Sequence, residues 1–328
     1  GGAGLKHSSV RDRGPGCEIP TRKPAMNSYT KTNKTSHWAI LAAFITMTTP
    51  TLSETKPPAL EDLQIWIDEG RFENIDGHNI FVHASGKSKS PGHGVLITHG
   101  YPASSIDWKN VVPRVALHTR VVISDFLGFG QSDKPTDGTF ETHYSMFKQA
   151  DRVIEVARRE GLKEVVLVIH DMGQTVGAEI MARHEEGKLP FKIKHAIILN
   201  GSTMVDMVNF MPLQKQMLAA PDNVLDEDIP DEKFVELFKS SFSKEHQPNQ
   251  GLLDVMVAQI DEHHGSRLMP RLMRYQQERK DNLQRWIDGL TKLSAPTSIY
   301  WGVQDPNGVV AMADRMKKLN PSADLHKW

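Results

Sequence analysis

This sequence has a single cysteine, almost no net charge and no long apolar run. Among its 328 residues Cys17 is the one cysteine, which excludes a disulfide framework and any multi-cysteine metal site. The 39 Lys and Arg nearly balance the 40 Asp and Glu, and this balance argues against a nucleic-acid binder. No apolar run reaches the roughly 18 residues that a membrane-spanning helix needs. With 39% apolar and 24% charged residues, the composition fits a packed protein of about two domains, or one large domain with an insertion.

Residues 1–59 are predicted to form an N-terminal extension with a signal-like segment. Lys31 and Lys34 precede a short apolar run at 38–47, which resembles the charged and apolar regions of a signal peptide that begins at Met26. The alternative is an ordinary N-terminal helix. The first interpretation predicts the secretory pathway or the endoplasmic reticulum, with membrane association through this segment. The second predicts a cytoplasmic protein.

From about residue 60 onward, short apolar runs alternate with helical patterns. Apolar runs of about five residues suit strands that are buried on both faces, as in a parallel sheet. These runs are Gly94–Thr98, Arg120–Ser124, Val165–Ile169, Ile193–Leu199 and Thr297–Trp301. Further strands are predicted at Arg71–Asp76, Asn79–Ala84 and Asp324–Trp328. Helices are predicted between them at Asp107–Leu117, Phe140–Arg159, Gln174–Glu185 and Val309–Leu319.

This alternation predicts an α/β fold with a mostly parallel sheet flanked by helices. It stops between Met204 and about Leu290, where the periodicity is helical, as in Asp231–Ser241 and Leu252–Asp261. We interpret residues 204–290 as a helical lid. The lid then separates two parts of one core, residues 60–203 and residues 291–328.

The strand at Val165–Ile169 leads directly into His170-Asp171-Met172-Gly173 and a helix. This is the context of a nucleophile elbow, with Asp171 where a serine normally stands and Gly173 relieving crowding. Ile169, two positions before Asp171, is larger than the usual elbow allows. A carboxylate is ionised near neutral pH and can displace a leaving group from saturated carbon, giving an ester whose hydrolysis needs a general base. The alternative is that Asp171 caps the following helix.

Other polar residues follow the predicted strands, where ligands bind in a parallel sheet. In HGYPASSIDW, the loop after His99 places a backbone N–H at the site, and with the N–H of Met172 it would form an oxyanion hole. Asp305 follows a buried strand and could orient a histidine or form an Asp-Pro turn. Asn200, one strand earlier, is a competing position for that role.

Together these motifs resemble the α/β-hydrolase superfamily, in particular its aspartate-nucleophile branch of haloalkane dehalogenases and epoxide hydrolases. VIHDMGQTVG is similar to the dehalogenase elbow, HGYP matches an HG-x-P motif, and the resemblance covers about residues 60–328. It implies that Asp171 is the nucleophile and Asp305 the catalytic acid. It also implies that Tyr101 and Met172 donate the oxyanion-hole N–H groups. We expect the substrate pocket to include five further side chains: His99, Trp108, His170, Asn200 and Tyr275.

The sequence also departs from this branch. Met172 stands where dehalogenases have Trp, and Tyr101 where they have Asn, so a halide site is not expected. Epoxide hydrolases use two lid tyrosines, whereas Tyr275 is the one tyrosine between residues 204 and 290. The family places its catalytic histidine in a loop after the last strand. His326 lies within that strand and is expected to be exposed or structural, which predicts a fragment of a longer protein, or alternatively a hydrolase without its base.

The predicted function is hydrolysis of a small, largely apolar substrate through an aspartyl ester. The alternative is a catalytically silent binding protein that uses the same pocket. A serine esterase is a weaker hypothesis, because Ser104 and Ser105 do not lie on an elbow. The expected partner is a small molecule, with no nucleic acid, no cofactor and no metal, since the 15 histidines are scattered. The oligomeric state is left open.

Overall fold

The computed structural model describes residues 58–328. The predicted signal-like segment and the start at Met26 lie outside the described residues. Every element described below belongs to one compact unit, Glu54–Trp328. No helix within 58–328 is long and apolar enough to cross a membrane.

The core of residues 58–328 is one eight-stranded sheet in the order β1-β2-β4-β3-β5-β6-β7-β8. Strands β1 and β2 pair antiparallel, β2 also pairs antiparallel with β4, and all other neighbours are parallel. The strands are β1 (Arg71–Ile75), β2 (His78–Ser85), β3 (His93–Thr98), β4 (Arg120–Ser124), β5 (Glu164–Asp171), β6 (Lys192–Gly201), β7 (Thr297–Trp301) and β8 (Asp324–Lys327). Each predicted strand is present. For β3 to β7 the reason is that continuous apolar runs satisfy both covered faces of a sheet.

Helices cover both faces of this sheet. Those within or beside the core are α1 (Pro58–Glu69), α2 (Val112–Ala116), α3 (Met146–Arg159), α4 (Met172–Glu185) and α11 (Val310–Leu319). Six more lie between β6 and β7: α5 (Pro212–Ala219), α6 (Asp231–Ser241), α7 (Gln250–Asp261), α8 (Met269–Leu272), α9 (Tyr275–Asp281) and α10 (Leu283–Thr291). This insertion coincides with the stretch interpreted as a lid.

Two predicted helices are interrupted. In place of one helix at Asp107–Leu117, a 3₁₀ turn at Ser105–Trp108 precedes the short α2, since Pro113 cannot donate an N–H within a longer helix but fits its first turn. In place of one helix at Phe140–Arg159, the chain breaks at Ser145. The side chain of Ser145 accepts a hydrogen bond from the N–H of Phe147 at 3.2 Å and so caps α3.

A buried carboxylate fastens the end of the insertion to the helix that follows β5. Glu179 of α4 is 1% exposed. It accepts hydrogen bonds from Arg183 at 2.7 Å, from Arg285 at 2.7 and 2.9 Å, and from the indole N–H of Trp286 at 3.1 Å. Because Arg285 and Trp286 belong to α10, this cluster fixes the end of the insertion to α4.

Candidate active site

Asp171 occupies a strained turn between the end of β5 and the start of α4. Its backbone has φ 51° and ψ −117°, a conformation that a residue with a Cβ adopts only when its surroundings enforce it. The turn exposes the side chain at the carboxyl edge of the sheet, where a cavity lies. Such strain costs on the order of 1–3 kcal/mol and is typical of functional positions.

Glycines allow the loops around Asp171 to approach closely. A Cβ on Gly100 would lie 2.8 Å from the Cβ of Asp171, and one on Gly173 would lie 2.5 Å from the carbonyl oxygen of His99. The large Ile169 is accommodated by Gly177, where a Cβ would lie 2.2 Å from the Ile169 side chain. The departure from the usual elbow is therefore compensated on the facing turn of α4.

The Asp171 carboxylate is oriented by two backbone amides. Its Oδ1 accepts hydrogen bonds from the N–H of Tyr101 at 2.7 Å and from the N–H of Met172 at 2.6 Å. An ordinary helix cap would accept from the second or third helical residue, whereas Met172 is the first and Tyr101 belongs to another loop. Within residues 58–328 its Oδ2 has no hydrogen-bond partner, so one oxygen is held and the other is free to react.

Asp305 and Asn200, predicted as competing positions, interact directly. The Asn200 Nδ2 donates to the Asp305 Oδ2 at 2.8 Å, and the N–H groups of Asn307 and Gly308 each donate to Oδ1 at 2.8 Å. Asn200 also donates to the carbonyl of Gly302 and accepts from its N–H. The carboxylate of Asp305 is thereby held at the rim of the cavity in one orientation.

A cavity of about 270 Å³ brings these groups together. The polar part of its lining comes mostly from the carboxyl edge of the sheet and includes Asp107, His170, Asp171, Asn200 and Asp305, and the insertion adds Gln214 and Ser241. The apolar part comes mainly from the insertion and includes Leu237, Phe238, Phe242 and Met256. No Lys or Arg lines this cavity in the described part of the chain, and no group of residues there could hold a metal ion.

His99, Trp108 and Tyr275 do not line the cavity, although they were expected in the substrate pocket. His99 is fully buried, its Nε2 accepts from the N–H of Phe126 at 2.9 Å, and its Nδ1 is 2.9 Å from the Gly100 carbonyl. These bonds assign a neutral ring whose Nδ1 donates to Gly100. Trp108 is buried with its ring edge-on to His170, at a centroid distance of 6.4 Å. Tyr275 packs on Tyr101 at 5.7 Å.

Asp107 is the cavity carboxylate that sequence reasoning missed. Its side chain is accessible from the cavity. The residue is exposed to the cavity, but protein atoms crowd its carboxyl; this crowding, and then the negative charges of Asp125 and Asp171, raise the pKa of that carboxyl to about 7. In the sequence Asp107 stands between Ile106 and Trp108, after two serines, and this pattern predicts only a local turn.

The remaining candidate side chains are accounted for by packing. Ser104 and Ser105 are fully buried, and each is hydrogen-bonded, Ser104 to Gln259 and Ser105 to the Trp66 indole. His326 is exposed in β8 and stacks on Tyr300 at a centroid distance of 4.7 Å. Neither serine and no part of His326 lines the cavity beside Asp171.

The buried neutral state of His99 predicts an acid-sensitive fold. Burial lowers the pKa of His99 below its ordinary value of 6.5, so below this pH the unfolded chain binds a proton that the folded chain does not. Stability is therefore present above pH 6.5 and is lost as the pH falls. We expect His99→Gln to reduce the slope of unfolding free energy against pH by up to about 1.4 kcal/mol per pH unit between pH 6.5 and 5.

Urea denaturation at a series of pH values measures this slope. His326→Gln is the matched control, because the exposed ring of His326 is solvated in both states. Equal slopes in the unchanged chain and in the His99→Gln variant would contradict the assignment of a neutral ring.

Comparison with known proteins shows the family to which this geometry belongs. A family model described as the alpha/beta hydrolase fold matches residues 95–327. The chain belongs to the alpha/beta hydrolase family. The fold class predicted from the strand pattern and the motifs is confirmed by this match.

Relatives of this alpha/beta hydrolase share most of its length. LipZ of Mycobacterium tuberculosis, a protein named as a hydrolase, is 31% identical over 258 residues, which cover 79% of this chain and 87% of LipZ. The mesoderm-specific transcript homolog protein of Bos taurus is 31% identical over 277 residues, which cover 81% of this chain and 78% of that protein. A haloalkane dehalogenase of Sphingobium indicum is 30% identical over 120 residues, which cover 34% of this chain and 39% of the dehalogenase.

Among solved structures, an alpha/beta hydrolase fold protein from Burkholderia ambifaria matches with a TM-score of 0.64 and 19% identity. The match covers 80% of this chain and 91% of that one. At this identity the likeness supports the fold of the alpha/beta hydrolase and carries no substrate with it.

Proposed function

We propose that the chain hydrolyses a small, largely apolar electrophile through a covalent ester on Asp171. The observation that carries this proposal is the difference between the environments of the two carboxylate oxygens of Asp171. Two backbone N–H groups hold Oδ1, while Oδ2 has no partner within residues 58–328 and belongs to a side chain that lines the cavity. This is the arrangement that a carboxylate nucleophile and its later ester both require.

In the first step, Oδ2 attacks a saturated carbon of the substrate. A bond forms between Oδ2 and carbon, and the bond from carbon to the leaving group breaks, with its electron pair going to a halide or to an epoxide oxygen. The carboxylate is already ionised, so no base is needed at this stage. The negative charge leaves Asp171 and appears on the leaving group.

In the second step, water attacks the carbonyl carbon of the Asp171 ester. Negative charge develops on Oδ1, where the N–H groups of Tyr101 and Met172 already point. The bond between Cγ and Oδ2 then breaks, the alcohol leaves with Oδ2 and receives a proton from the base, and the carboxylate reforms with the water oxygen. A base must accept a proton from the water, and the fixed carboxylate of Asp305 would orient that base. No histidine within residues 58–328 is hydrogen-bonded to Asp305.

The lining of the cavity favours an uncharged substrate. Its volume of about 270 Å³ suits a small molecule, and its lid side is formed largely by Leu237, Phe238, Phe242 and Met256. Since the polar lining includes three aspartates and no described cation, an anionic substrate would be repelled.

The proposal is tested by searching for the ester. The chain is incubated separately with 1-bromobutane, styrene oxide and p-nitrophenyl butyrate, and intact mass and peptide mapping are then recorded. We expect a stoichiometric adduct at Asp171 with the bromoalkane or the epoxide. The adduct should persist, because the described residues supply no histidine on Asp305. Protein unfolded in urea is the control for non-specific alkylation. The absence of an adduct with every probe would contradict the proposal and favour the non-catalytic binding protein.

A further inference from the structure

Arg279 is a buried cation without a carboxylate partner. It lies in α9 and has 0% exposure. Other deeply buried arginines are paired: Arg152 with Asp76 at 3.4 Å and Arg271 with Asp222 at 3.4 Å. Within residues 58–328, no carboxylate oxygen lies within ion-pair distance of Arg279. An unpaired charge in the interior is strongly destabilising, so a specific reason is needed for its presence.

Two contacts of Arg279 are with the elbow and its helix, and two are with neutral side chains beside it. Its Nε donates to the hydroxyl of Thr175 at 2.7 Å, and its Nη1 donates to the hydroxyl of Ser202 at 2.7 Å and to the Gln276 side chain at 3.2 Å. Its Nη2 is 3.5 Å from the backbone carbonyl of Asp171. The guanidinium therefore lies directly behind the proposed nucleophile, held by neutral groups.

The same guanidinium also supports the second oxyanion-hole loop. Its central carbon lies 4.4 Å from the centroid of the Tyr275 ring, a cation–π contact. The Tyr275 ring packs on Tyr101, with 5.7 Å between centroids, and Tyr101 supplies one of the two N–H donors to Oδ1. Arg279 is thus linked to both donors, to one through the elbow and to the other through two aromatic rings.

We propose that Arg279 is a positioning residue that supplies a buried positive charge to the oxyanion hole and stabilises negative charge on Oδ1 of Asp171. This inference rests on the proposed function, since the charge matters only if an ester forms on Asp171. Burial lowers the pKa of Arg279, and the neighbouring Tyr275 and Asp171 side chains oppose that shift. Because the hydrogen-bond partners are neutral, the positive charge is not cancelled locally and acts on Asp171 through a weakly polar medium.

A positive charge at Arg279 affects ester formation and ester hydrolysis differently. In the first step negative charge leaves Asp171, so a cation behind it gives no acceleration. In the second step a neutral ester becomes an oxyanion at Oδ1, and the cation stabilises that transition state. Loss of the charge should therefore slow hydrolysis of the ester selectively. A residue that only maintains packing would affect both steps alike.

The test compares formation and hydrolysis of the bromobutane adduct in Arg279→Met and Arg279→Lys. Each adduct is formed, freed of reagent and moved to pH 9, where hydroxide attacks without a protein base, and intact mass is followed over time. We expect the methionine variant to lengthen the adduct lifetime about tenfold and the lysine variant to change it less than about threefold. Formation rates should stay within about threefold of the unchanged chain.

Ser202→Ala is the matched control, because it removes one hydrogen bond from Arg279 and keeps the charge; its adduct lifetime should not change. Melting temperature and circular dichroism report folding, and Arg279→Gln serves as a second neutral variant. The inference is overturned if the adduct lifetime is the same in the neutral variants and in the unchanged chain. It is also overturned if the adduct of Arg279→Lys is hydrolysed as slowly as that of Arg279→Met. Equal slowing of adduct formation and adduct hydrolysis would overturn it as well. No adduct in the unchanged chain contradicts the proposed function and this inference with it.

Discussion

Asp171→Asn is expected to reduce formation of the covalent adduct at least about 1000-fold while the chain remains folded. The amide is uncharged and is a poor nucleophile toward saturated carbon. Its carbonyl oxygen can still accept the hydrogen bonds that Tyr101 and Met172 now donate to Oδ1. The strained turn is therefore kept while the reactive oxygen is replaced by an NH₂ group.

Intact mass after incubation with 1-bromobutane or styrene oxide measures this loss, and circular dichroism with melting temperature measures the fold. Asp314→Asn is the matched control, since Asp314 is an exposed aspartate of α11 whose partner is Lys327. We expect this variant to form the adduct at the normal rate. Retained adduct in Asp171→Asn, at any site in the cavity, would exclude Asp171 as the nucleophile.

The second large effect is on stability. Glu179→Ala should lower the free energy of unfolding by about 3–5 kcal/mol, because it leaves Arg183, Arg285 and the indole N–H of Trp286 without their shared acceptor in the interior. Since Glu179 joins α4 to α10, the loss should also loosen the insertion over the cavity. Urea denaturation at pH 7 gives the free energy directly.

Glu186→Ala provides the control for this variant. Glu186 is exposed and accepts a hydrogen bond from the same Arg285 at 2.6 Å. An exposed ion pair contributes at most about 1 kcal/mol, so its removal should be mild. Similar losses in the two variants would show that the burial of Glu179 is unimportant.

The sheet could be predicted from the sequence because each strand is indicated by its own residues, without information from distant parts of the chain. The runs at Arg120–Ser124 and Thr297–Trp301 have the same bounds in the structure, since strands covered on both faces must be apolar throughout. The short helices α8 to α10 were not predicted. With 4, 7 and 9 residues they are shorter than the 11- to 18-residue window in which a helical period can be recognised in a sequence.

The site could be predicted only in part. Asp171 and Met172 are neighbours on one turn, and HGYP is a local motif, so short segments suffice to predict that they lie at the site; their catalytic roles stay a prediction. The burial of His99 and Tyr275, and the exposure of Asp107 to the cavity, depend on which loops meet across the sheet. Arg279 is read from the sequence only as part of a charged motif, because its contacts are up to 108 positions away along the chain.

Because Oδ1 of Asp171 already fills the space between the N–H groups of Tyr101 and Met172, that space is closed to any other oxygen. An incoming acyl group would find no donors for its own carbonyl, and the donors become useful only after the side chain itself has been esterified. Under the proposed function, the resting protein would therefore discriminate at the level of carbon hybridisation: it would react with tetrahedral carbon and not with the planar carbon of an acyl group.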